Sequence, residues 1–361
     1  MRKTRVLIIE DSDVVLLLLK AIIASDPRLE VVGMARSAEE GLRLLDKLLP
    51  DVVSLDIRLP GMNGLEATRR IMADKPTPIV VVSASVESED LRITMNALQA
   101  GALAVVEKPV GVTHAAYKSL AEHLCTQLAI MSQVKVVRQR RSIQLTGPEC
   151  PPAKKNPGPP QTRAQPSQFP LMLGIVSSTG GPNALAHLLG ALSRDFPLPI
   201  VLVQHIAAQF IPGFAAWLES VCPFQVVMVS AHESPKPGRV YIAAGDRHLH
   251  ASATSVWVEQ GDPVCSQRPS GSVLFQSMAS SLGRQAIGVI LTGMGEDGAE
   301  GLLALRRAGG HTIAEDQTTA VVYGMPAAAV GLNAICELLP LTHIAARLET
   351  LVSNMEVMSH G

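Results

Sequence analysis

Short apolar runs alternate with amphipathic, helix-like stretches along most of the chain. In the first 130 residues, five such runs read RVLIIE, LEVVGM, DVVSLD, PIVVVS and LAVVEK. Each contains consecutive Val, Ile and Leu residues, which is typical of strands buried on both faces of a parallel sheet. Five β/α units predict a doubly wound, five-stranded parallel sheet with its site at the carboxyl ends of the strands.

The same alternation returns after residue 170. The runs LMLGIVS, PIVLVQ, QVVMVS, AIGVILT and HTIAED predict the strands of a second parallel sheet, again with helices between them. The stretch GRVYIAAGDRHLHASATSVWVEQGDP shows period-two alternation and Gly-Asp turns, which favours β-hairpins. The second half is therefore predicted to be a Rossmann-like α/β domain with an added β-hairpin.

A change of composition separates the two halves. The segment from Val134 to Pro170 holds eight prolines, seven Lys or Arg residues and one Glu, so it cannot build a packed core. At 361 residues the chain exceeds the usual size of one domain. We therefore predict domains at 1–130 and 171–355, joined by a linker at 131–170. We interpret the basic residues of this linker as keeping it soluble and the domains apart; the alternative is that the linker serves as a docking segment.

Charge and cysteine usage restrict the classes of protein. The net charge of −1 offers no general attraction to nucleic acid, and none is expected as a partner. Five cysteines without a CxxC pair do not suggest a secreted disulfide framework. The apolar stretch in MRKTRVLIIEDSD is too short for a signal peptide, and Lys20 interrupts VVLLLLKAIIA. We expect a soluble, cytoplasmic protein without membrane insertion.

Three carboxylates follow apolar runs of the first domain. Glu10 and Asp11 come after RVLII, and Asp56 comes after DVVSL. Because the carboxyl ends of parallel strands share one edge, these groups should converge, which requires a bound cation or a protonated carboxylate. Two further strand ends add the hydroxyl of Ser83 and the ammonium group of Lys108. Together they predict an acceptor of a phosphoryl group with an oxygen-ligated divalent metal.

This arrangement resembles the response-regulator receiver family over about Arg5 to Ile130. The shared features are the acidic pair, the acceptor followed by IRLPGMNGLE, the serine, and the Lys-Pro after the fifth strand. The resemblance implies a flavodoxin-like fold and phosphorylation of Asp56. It also implies Mg²⁺ held by Asp11, Asp56 and the Arg58 carbonyl, with Glu10 acting through water and Ser83 and Lys108 contacting the phosphate. The alternative is a structural α/β domain with incidental acidic residues.

One position departs from the receiver pattern. Receivers usually have an aromatic residue three positions before the lysine, where its rotation reports phosphorylation. Val105 occupies that position here. We therefore expect the phosphorylation signal to leave this domain by another route, or weakly.

The turn GIVSSTGGPNAL in the second domain could hold a phosphate or expose a nucleophile. A phosphate loop of the Walker type needs Gly-Lys-Ser/Thr, and no lysine follows Gly180 and Gly181. A serine on a strand-to-helix turn with small neighbours suits a nucleophile instead. Such a serine needs a base, and His205 ends its strand on the same edge. His232 is the rival, whereas His311 begins its strand and should lie on the opposite edge.

The third group should be a carboxylate at another strand end, and Asp297 in AIGVILTGMGEDGAEGL meets this requirement. The same stretch formally matches the dinucleotide fingerprint from Gly293 to Gly298. Glu296 and Asp297 would then lie where a pyrophosphate must bind, so like-charge repulsion opposes that cofactor. An acid that orients His205 is the better interpretation of this turn.

The motifs of this half are similar to those of the chemotaxis protein-glutamate methylesterases, which place a receiver before the catalytic domain. SSTGGPNAL, VQH, VYIAAGDRHL, RPSGSVLF, LTGMGEDGAEGL and TTAVVYGMPAAA match in order from Leu171 to about Leu351. The resemblance implies hydrolysis of glutamate methyl esters on chemoreceptors, and deamidation of receptor glutamines, without a cofactor for the esterase. It assigns the catalytic triad to Ser178, His205 and Asp297, and the lining of the oxyanion site to Met294, Thr179 and Gly180.

The resemblance also implies partners and regulation. A histidine kinase of a chemotaxis-type pathway should phosphorylate Asp56, and methyl-accepting chemoreceptors should be the substrate. Two features depart from the family: Ser177 replaces the usual Ala, and IAAQFIPGF after His205 lacks the usual Met-Pro. The alternatives are a phosphorylation-controlled binding module without turnover and a dinucleotide-dependent oxidoreductase built on Gly293 to Gly298.

Overall fold

The computed structural model of the protein describes residues 2–83, 88–109, 117–134, 136 and 171–359. The first domain alternates strands and helices, as its apolar runs predict. In chain order its elements are β1 Thr4–Ile9, α1 Asp13–Ser25, β2 Leu29–Ala35, α2 Ala38–Leu48, β3 Val52–Asp56, α3 Gly64–Asp74, β4 Ile79–Ser83, α4 Ser88–Gln99, β5 Ala104–Glu107 and α5 Tyr117–Met131.

The five strands of the first domain form one parallel sheet in the order β2-β1-β3-β4-β5. The predicted doubly wound α/β fold is thus confirmed. β3 and β4 are buried along their whole length because helices cover both faces of the sheet. Polar caps begin two of these helices: the side chain of Ser37 accepts a hydrogen bond from the Glu40 amide, and that of Asn63 accepts one from the Glu66 amide.

The second domain contains the remaining described elements, with short 3-10 helices at Ala208–Phe210 and Gly283–Gln285. Its strands and helices are β6 Met172–Ser177, α6 Gly181–Ala191, β7 Ile200–Gln204, α7 Ile211–Val221, β8 Gln225–Val229, β9 His232–Glu233, β10 Arg239–Ala243, β11 His248–Ala251, β12 Val256–Glu259, α8 Gly271–Ser281, β13 Ala286–Ile290, α9 Ala299–Arg307, β14 His311–Glu315, α10 Met325–Gly331, β15 Glu337–Leu339 and α11 Leu341–Ser359.

Seven of these strands form a parallel sheet in the order β15-β14-β13-β6-β7-β10-β8. β6 is central, with β13 on one side and β7 on the other. The turns after these three adjacent strands lead directly to Ser178, His205 and Asp297. The topology therefore brings the three predicted catalytic positions to one edge of the sheet.

The predicted hairpin region needs one correction. GRVYIA does not form a hairpin: β10 inserts in parallel between β7 and β8. Val240 to Ala243 are buried, so this strand is covered on both faces and belongs to the central sheet. Only β11 and β12 pair as an antiparallel hairpin, and β9 joins them in a separate three-stranded sheet.

The two domains pack against each other. α4 of the first domain contacts α6 and α7 of the second. Val321 and Val322 of the second domain pack against the core formed by β1, β3, α1 and α5. α5 extends to Met131, and most of the predicted linker lies outside the described residues. None of the helices in the described part of the chain has the length and apolar character needed to cross a membrane.

Candidate active site and phospho-acceptor site

Ser178 lies at the turn between β6 and α6. Its amide donates to the Thr292 carbonyl at 3.0 Å, and its carbonyl accepts from the Gly181 amide at 2.8 Å. Gly180 has a φ of +78°, and a Cβ atom there would lie 2.7 Å from Cβ of Val321. Glycine is therefore required at this position for both conformation and space. Ser178 remains partly exposed at the tip of this turn.

His205 and Asp297 form a buried pair beside this turn. The Nε2 atom of His205 lies 2.8 Å from Oδ2 of Asp297, and both side chains are at most 5% exposed. The amide of His205 donates to the Ser177 carbonyl at 3.0 Å, which continues the pairing of β6 and β7 to the base. The predicted base and acid are thus brought into direct contact.

The carboxylate of Asp297 also accepts hydrogen bonds from the start of α8. Ser270 Oγ and the Gly271 amide each donate at 2.6 Å, and the Ser272 amide donates at 3.2 Å. Burial opposes ionisation of Asp297, but the hydrogen bond and charge of His205, with the donors at Ser270 and Gly271, lower its pKa below the usual value. A helix N-terminus also favours a negative charge at this place.

The acid fixes the tautomer of the imidazole. An ionised Asp297 can only accept, so Nε2 of His205 must carry the proton that it donates. Nδ1 is then the accepting nitrogen, and within the described residues it is buried without a hydrogen-bond partner. The two ring nitrogens therefore have roles opposite to those in the chymotrypsin triad, where Nδ1 faces the acid.

A cavity of about 570 Å³ opens in front of these groups, and both domains line it. The second domain contributes Ser178 and His205 together with the predicted lining residues Met294, Thr179 and Gly180. Residues of β5 and α5 line the other side, including Val105, His123 and Gln127. The side chain of Gln127 contacts the hydroxyl of Thr179 at 3.4 Å, and both groups are buried. The first domain thus covers the edge that holds Ser178.

The competing histidines lie elsewhere. His232 is exposed on β9, stacks on Trp257 and contacts Ser255 Oγ at 3.2 Å. His311 begins β14 and contacts Glu337 at 2.7 Å. Neither lines the cavity. The geometry therefore favours His205 as the base.

The acidic residues of the first domain also converge. Glu10, Asp11 and Asp56 place one carboxylate oxygen each within 4.8 Å of one another, a spacing that suits a hard divalent cation. The ammonium group of Lys108 lies 2.8 Å from carboxylate oxygens of both Glu10 and Asp56. Ser83 is buried at the end of β4, and its carbonyl accepts from the Lys108 amide at 3.0 Å.

Burial controls the charges of this acidic cluster. It raises the pKa of Asp56 above its usual value, although Lys108 and the backbone amides of Arg58 and Ile57 oppose that shift. Burial and the charge of Asp56 likewise raise the pKa of Glu10. Burial disfavours the charged ammonium of Lys108, but the two carboxylates outweigh it and raise the pKa. The cluster thus depends on Lys108 for compensation of its negative charge.

Two contacts were not predicted from the sequence. Ser270 is the N-cap of α8 and donates to Asp297, and Gln127 reaches Thr179 from the first domain. The serine in RPSGSVLF just before an apolar run is a helix-start signal that could have identified the cap. No local pattern could have identified the contact of Gln127, because its partner is 52 residues away in another domain.

Two family models match separate parts of the chain. Residues 173–348 match the family described as CheB methylesterase, and residues 6–116 match the response regulator receiver domain. The two matches fall within the two domains described above.

Two relatives resemble the chain over nearly all of its length. A protein-glutamate methylesterase/protein-glutamine glutaminase of Paramagnetospirillum magneticum is 54% identical, over 97% of this chain and 98% of its own. One from Myxococcus xanthus is 43% identical, over 95% and 96%. Among solved structures, the CheB methylesterase catalytic domain of Thermotoga maritima is 35% identical, with a TM-score of 0.49, over 51% of this chain and 100% of its own.

Proposed function

Since this chain belongs to the family of protein-glutamate methylesterases and protein-glutamine glutaminases, we propose that Ser178, His205 and Asp297 catalyse its reaction. The observation that supports this assignment is the buried hydrogen bond between His205 and Asp297, beside a cavity that contains Ser178. The substrate is a methylated glutamate of a chemoreceptor, and the products are glutamate and methanol.

The catalytic groups act in sequence on the ester. Ser178 Oγ attacks the ester carbonyl while Nδ1 of His205 accepts its proton. The imidazolium that forms is stabilised by Asp297, and its Nδ1 proton then passes to the departing methanol. A water molecule, activated by the same nitrogen, hydrolyses the acyl-enzyme and releases the glutamate. With a glutamine side chain the same steps expel ammonia, which gives the glutaminase reaction.

The negative charge that develops on the carbonyl oxygen needs hydrogen-bond donors. Thr179, Gly180 and Met294 line the cavity beside Ser178, and their backbone amides are the candidate donors. Thr179 and Gly180 begin the approach to α6, whose N-terminus favours a negative charge at this place. We assign the oxyanion site to this part of the cavity.

The first domain regulates access to the cavity through Asp56. Asp11, Asp56 and the Arg58 carbonyl would hold Mg²⁺, with Glu10 acting through water, and the donor set of converging carboxylates suits that ion. When bound, Mg²⁺ would neutralise negative charge on the phosphoryl group during its transfer. Lys108, whose ammonium group lies 2.8 Å from Asp56, would contact the phosphate together with Ser83. A phosphate adds about 1.5 to 2 negative charges at this edge and shifts the packing of the two domains.

The partners follow from this mechanism. A histidine kinase of a chemotaxis-type pathway donates the phosphoryl group, and the helices of methyl-accepting chemoreceptors provide the substrate. Both lie in the cytoplasm, where we propose that this protein acts.

Labelling with a fluorophosphonate tests the assignment of the nucleophile. We expect mass spectrometry to locate the label on Ser178 in the full chain, and we expect methanol release from methylated receptor membranes. Ser178→Ala should abolish labelling and lower methanol release by at least about 10³-fold, as loss of a triad member does. Ser280→Ala removes an exposed hydroxyl on α8 and should change neither measurement. A wild-type chain that is not labelled and releases no methanol would instead favour the binding module.

A further inference from the structure

Gln204, the last residue of β7, lies between the nucleophile and the base. It is 5% exposed, and its carboxamide makes three hydrogen bonds. Oε1 accepts from Ser177 Oγ at 2.7 Å. Nε2 donates to the carbonyls of Ser178 and His205, each at 2.9 Å. One side chain thus connects the backbone of the proposed nucleophile to that of the proposed base.

The hydrogen-bonding capacity of the carboxamide explains the presence of Ser177. The amide nitrogen has two protons, and both are used by the two carbonyls. The amide oxygen can then only accept, and within the described part of the chain the hydroxyl of Ser177 is the group that donates to it. Ser177 is fully buried, so loss of its hydroxyl would leave the amide oxygen of Gln204 unpaired and away from water.

The space around this pair is also restricted. A Cβ atom at Gly181 would lie 2.0 Å from Oε1 of Gln204 and 2.9 Å from Oγ of Ser177. No residue other than glycine leaves room for the carboxamide in this orientation. The second glycine of the Ser-Thr-Gly-Gly turn is thus explained by the side chain of Gln204 rather than by its own φ.

We propose that Ser177 and Gln204 are positioning residues that hold the backbone of Ser178 and His205 in the arrangement needed for proton transfer. This inference rests on the proposed function, since it concerns the same nucleophile and base. Ser177 is a donor to Gln204 and does not act as a second nucleophile, because it is buried and its proton is engaged. Catalytic groups must be held within about 0.5 Å of their productive geometry, and the pair provides that restraint.

Kinetics of the full chain, phosphorylated with acetyl phosphate and Mg²⁺, test this role. On methylated receptor membranes we expect Ser177→Ala to lower kcat about fivefold and Gln204→Met about 50-fold, with KM changed less than twofold, since alignment and not substrate contact is lost. The double variant should equal Gln204→Met within a factor of two, because the hydroxyl has no role once the amide is absent. The labelling rate of Ser178 by a fluorophosphonate should fall in parallel with kcat.

A matched variant separates positioning from folding. Ser277 joins α8 to β11 by donating to the Leu274 carbonyl and accepting from the Ala251 amide, away from the cavity. Ser277→Ala should destabilise the fold in urea and leave kcat and the labelling rate unchanged. The inference is overturned if Ser177→Ala keeps kcat and labelling within twofold of the wild type, or if its effect is undiminished in Gln204→Met. A wild type that is neither labelled nor active would overturn the proposed function itself.

Discussion

At the scale of single residues, the environment of Asp297 determines the chemistry of the site. Four groups donate to its carboxylate: His205, Ser270, and the amides of Gly271 and Ser272. Each donor favours the ionised form, and together they outweigh the desolvation of a side chain that is 2% exposed. The charge is therefore maintained at neutral pH, and it holds the proton of His205 on Nε2.

The same environment predicts how Asp297 contributes to stability at different pH values. Because the folded protein lowers the pKa of Asp297 below its unfolded value, ionisation stabilises the fold above about pH 4, and this contribution is lost as the pH falls further. We expect Asp297→Asn to lower the free energy of unfolding by about 1–3 kcal/mol at pH 7, with a smaller difference from the wild type near pH 3. Urea unfolding can be followed by Trp217 and Trp257, which are the two tryptophans of the chain and lie in the second domain.

The control for this prediction is Asp195→Asn, which changes an exposed carboxyl. This substitution should change the free energy of unfolding by no more than about 0.5 kcal/mol at both pH values. If the free energies of unfolding of the wild type and Asp297→Asn differ by the same amount at pH 7 and pH 3, the predicted contribution of Asp297 ionisation to stability is contradicted.

At the scale of elements, close packing of α8 and α9 brings the amides of Gly271 and Ser272 to Asp297. A Cβ atom at Gly301 of α9 would lie 2.4 Å from the Ser272 carbonyl oxygen. A Cβ atom at Gly271 would lie 2.3 Å from the side chain of Val176 on β6. The start of α8 is thus held tightly between α9 and β6, and a side chain at Gly271 or Gly301 would obstruct these contacts.

Gly301→Ala should therefore separate α9 from the start of α8. The added methyl group would meet the carbonyl oxygen of Ser272, which cannot move away by a change of rotamer because it belongs to the backbone. We therefore expect the free energy of unfolding to fall by about 1–3 kcal/mol. Gly331→Ala in α10 is the matched control, because a Cβ atom there meets nothing within 4 Å. That variant should be neutral or more stable by up to about 1 kcal/mol, since alanine favours helix. Equal free energies of unfolding for the two variants in urea would show that close approach of Gly301 to Ser272 is not needed for stability.

At the scale of the whole molecule, the first domain covers the cavity of the second. α4 packs against α6 and α7, and the side chain of Gln127 on α5 contacts Thr179, the residue after Ser178. Val105 lines the same cavity at the position where receivers usually have an aromatic residue. β5 and α5, which follow Asp56 in the chain, thus line the cavity that contains Ser178 and His205.

Loss of the contact between Gln127 and Thr179 should weaken this closure. We expect Gln127→Ala to raise the basal rate of methanol release about two- to tenfold, which corresponds to one lost hydrogen bond. The rate with acetyl phosphate and Mg²⁺ should stay at the wild-type level, so activation by phosphorylation becomes smaller. Gln133→Ala, an exposed residue just after α5, serves as the control and should leave both rates unchanged. If the basal rate of methanol release is unchanged or lower in Gln127→Ala, the contact with Thr179 does not help to keep the cavity covered.

The five strands of the first sheet and five of the seven strands of the second were predicted from runs of apolar residues, because burial on two faces imposes a continuous Val/Ile/Leu pattern. The edge strand β15 was not predicted. The strand ends then indicated which side chains share an edge, and the contact between His205 and Asp297 agrees with that expectation. The prediction was wrong for β10, whose sequence GRVYIA alternates as a hairpin strand does. In the structure β10 pairs in parallel with β7 on one edge and β8 on the other. The local sequence pattern does not reveal these partners.

By itself, the sequence thus indicated the two α/β folds, the acidic cluster and the residues that we propose as the catalytic triad, because strand periodicity and strand ends are local properties. Tertiary structure alone decided which nitrogen of His205 faces Asp297, which amides hold that carboxylate, and how Gln204 connects Ser178 to His205. These contacts join residues up to 92 positions apart, and their geometry depends on how helices and strands pack rather than on any spacing along the chain.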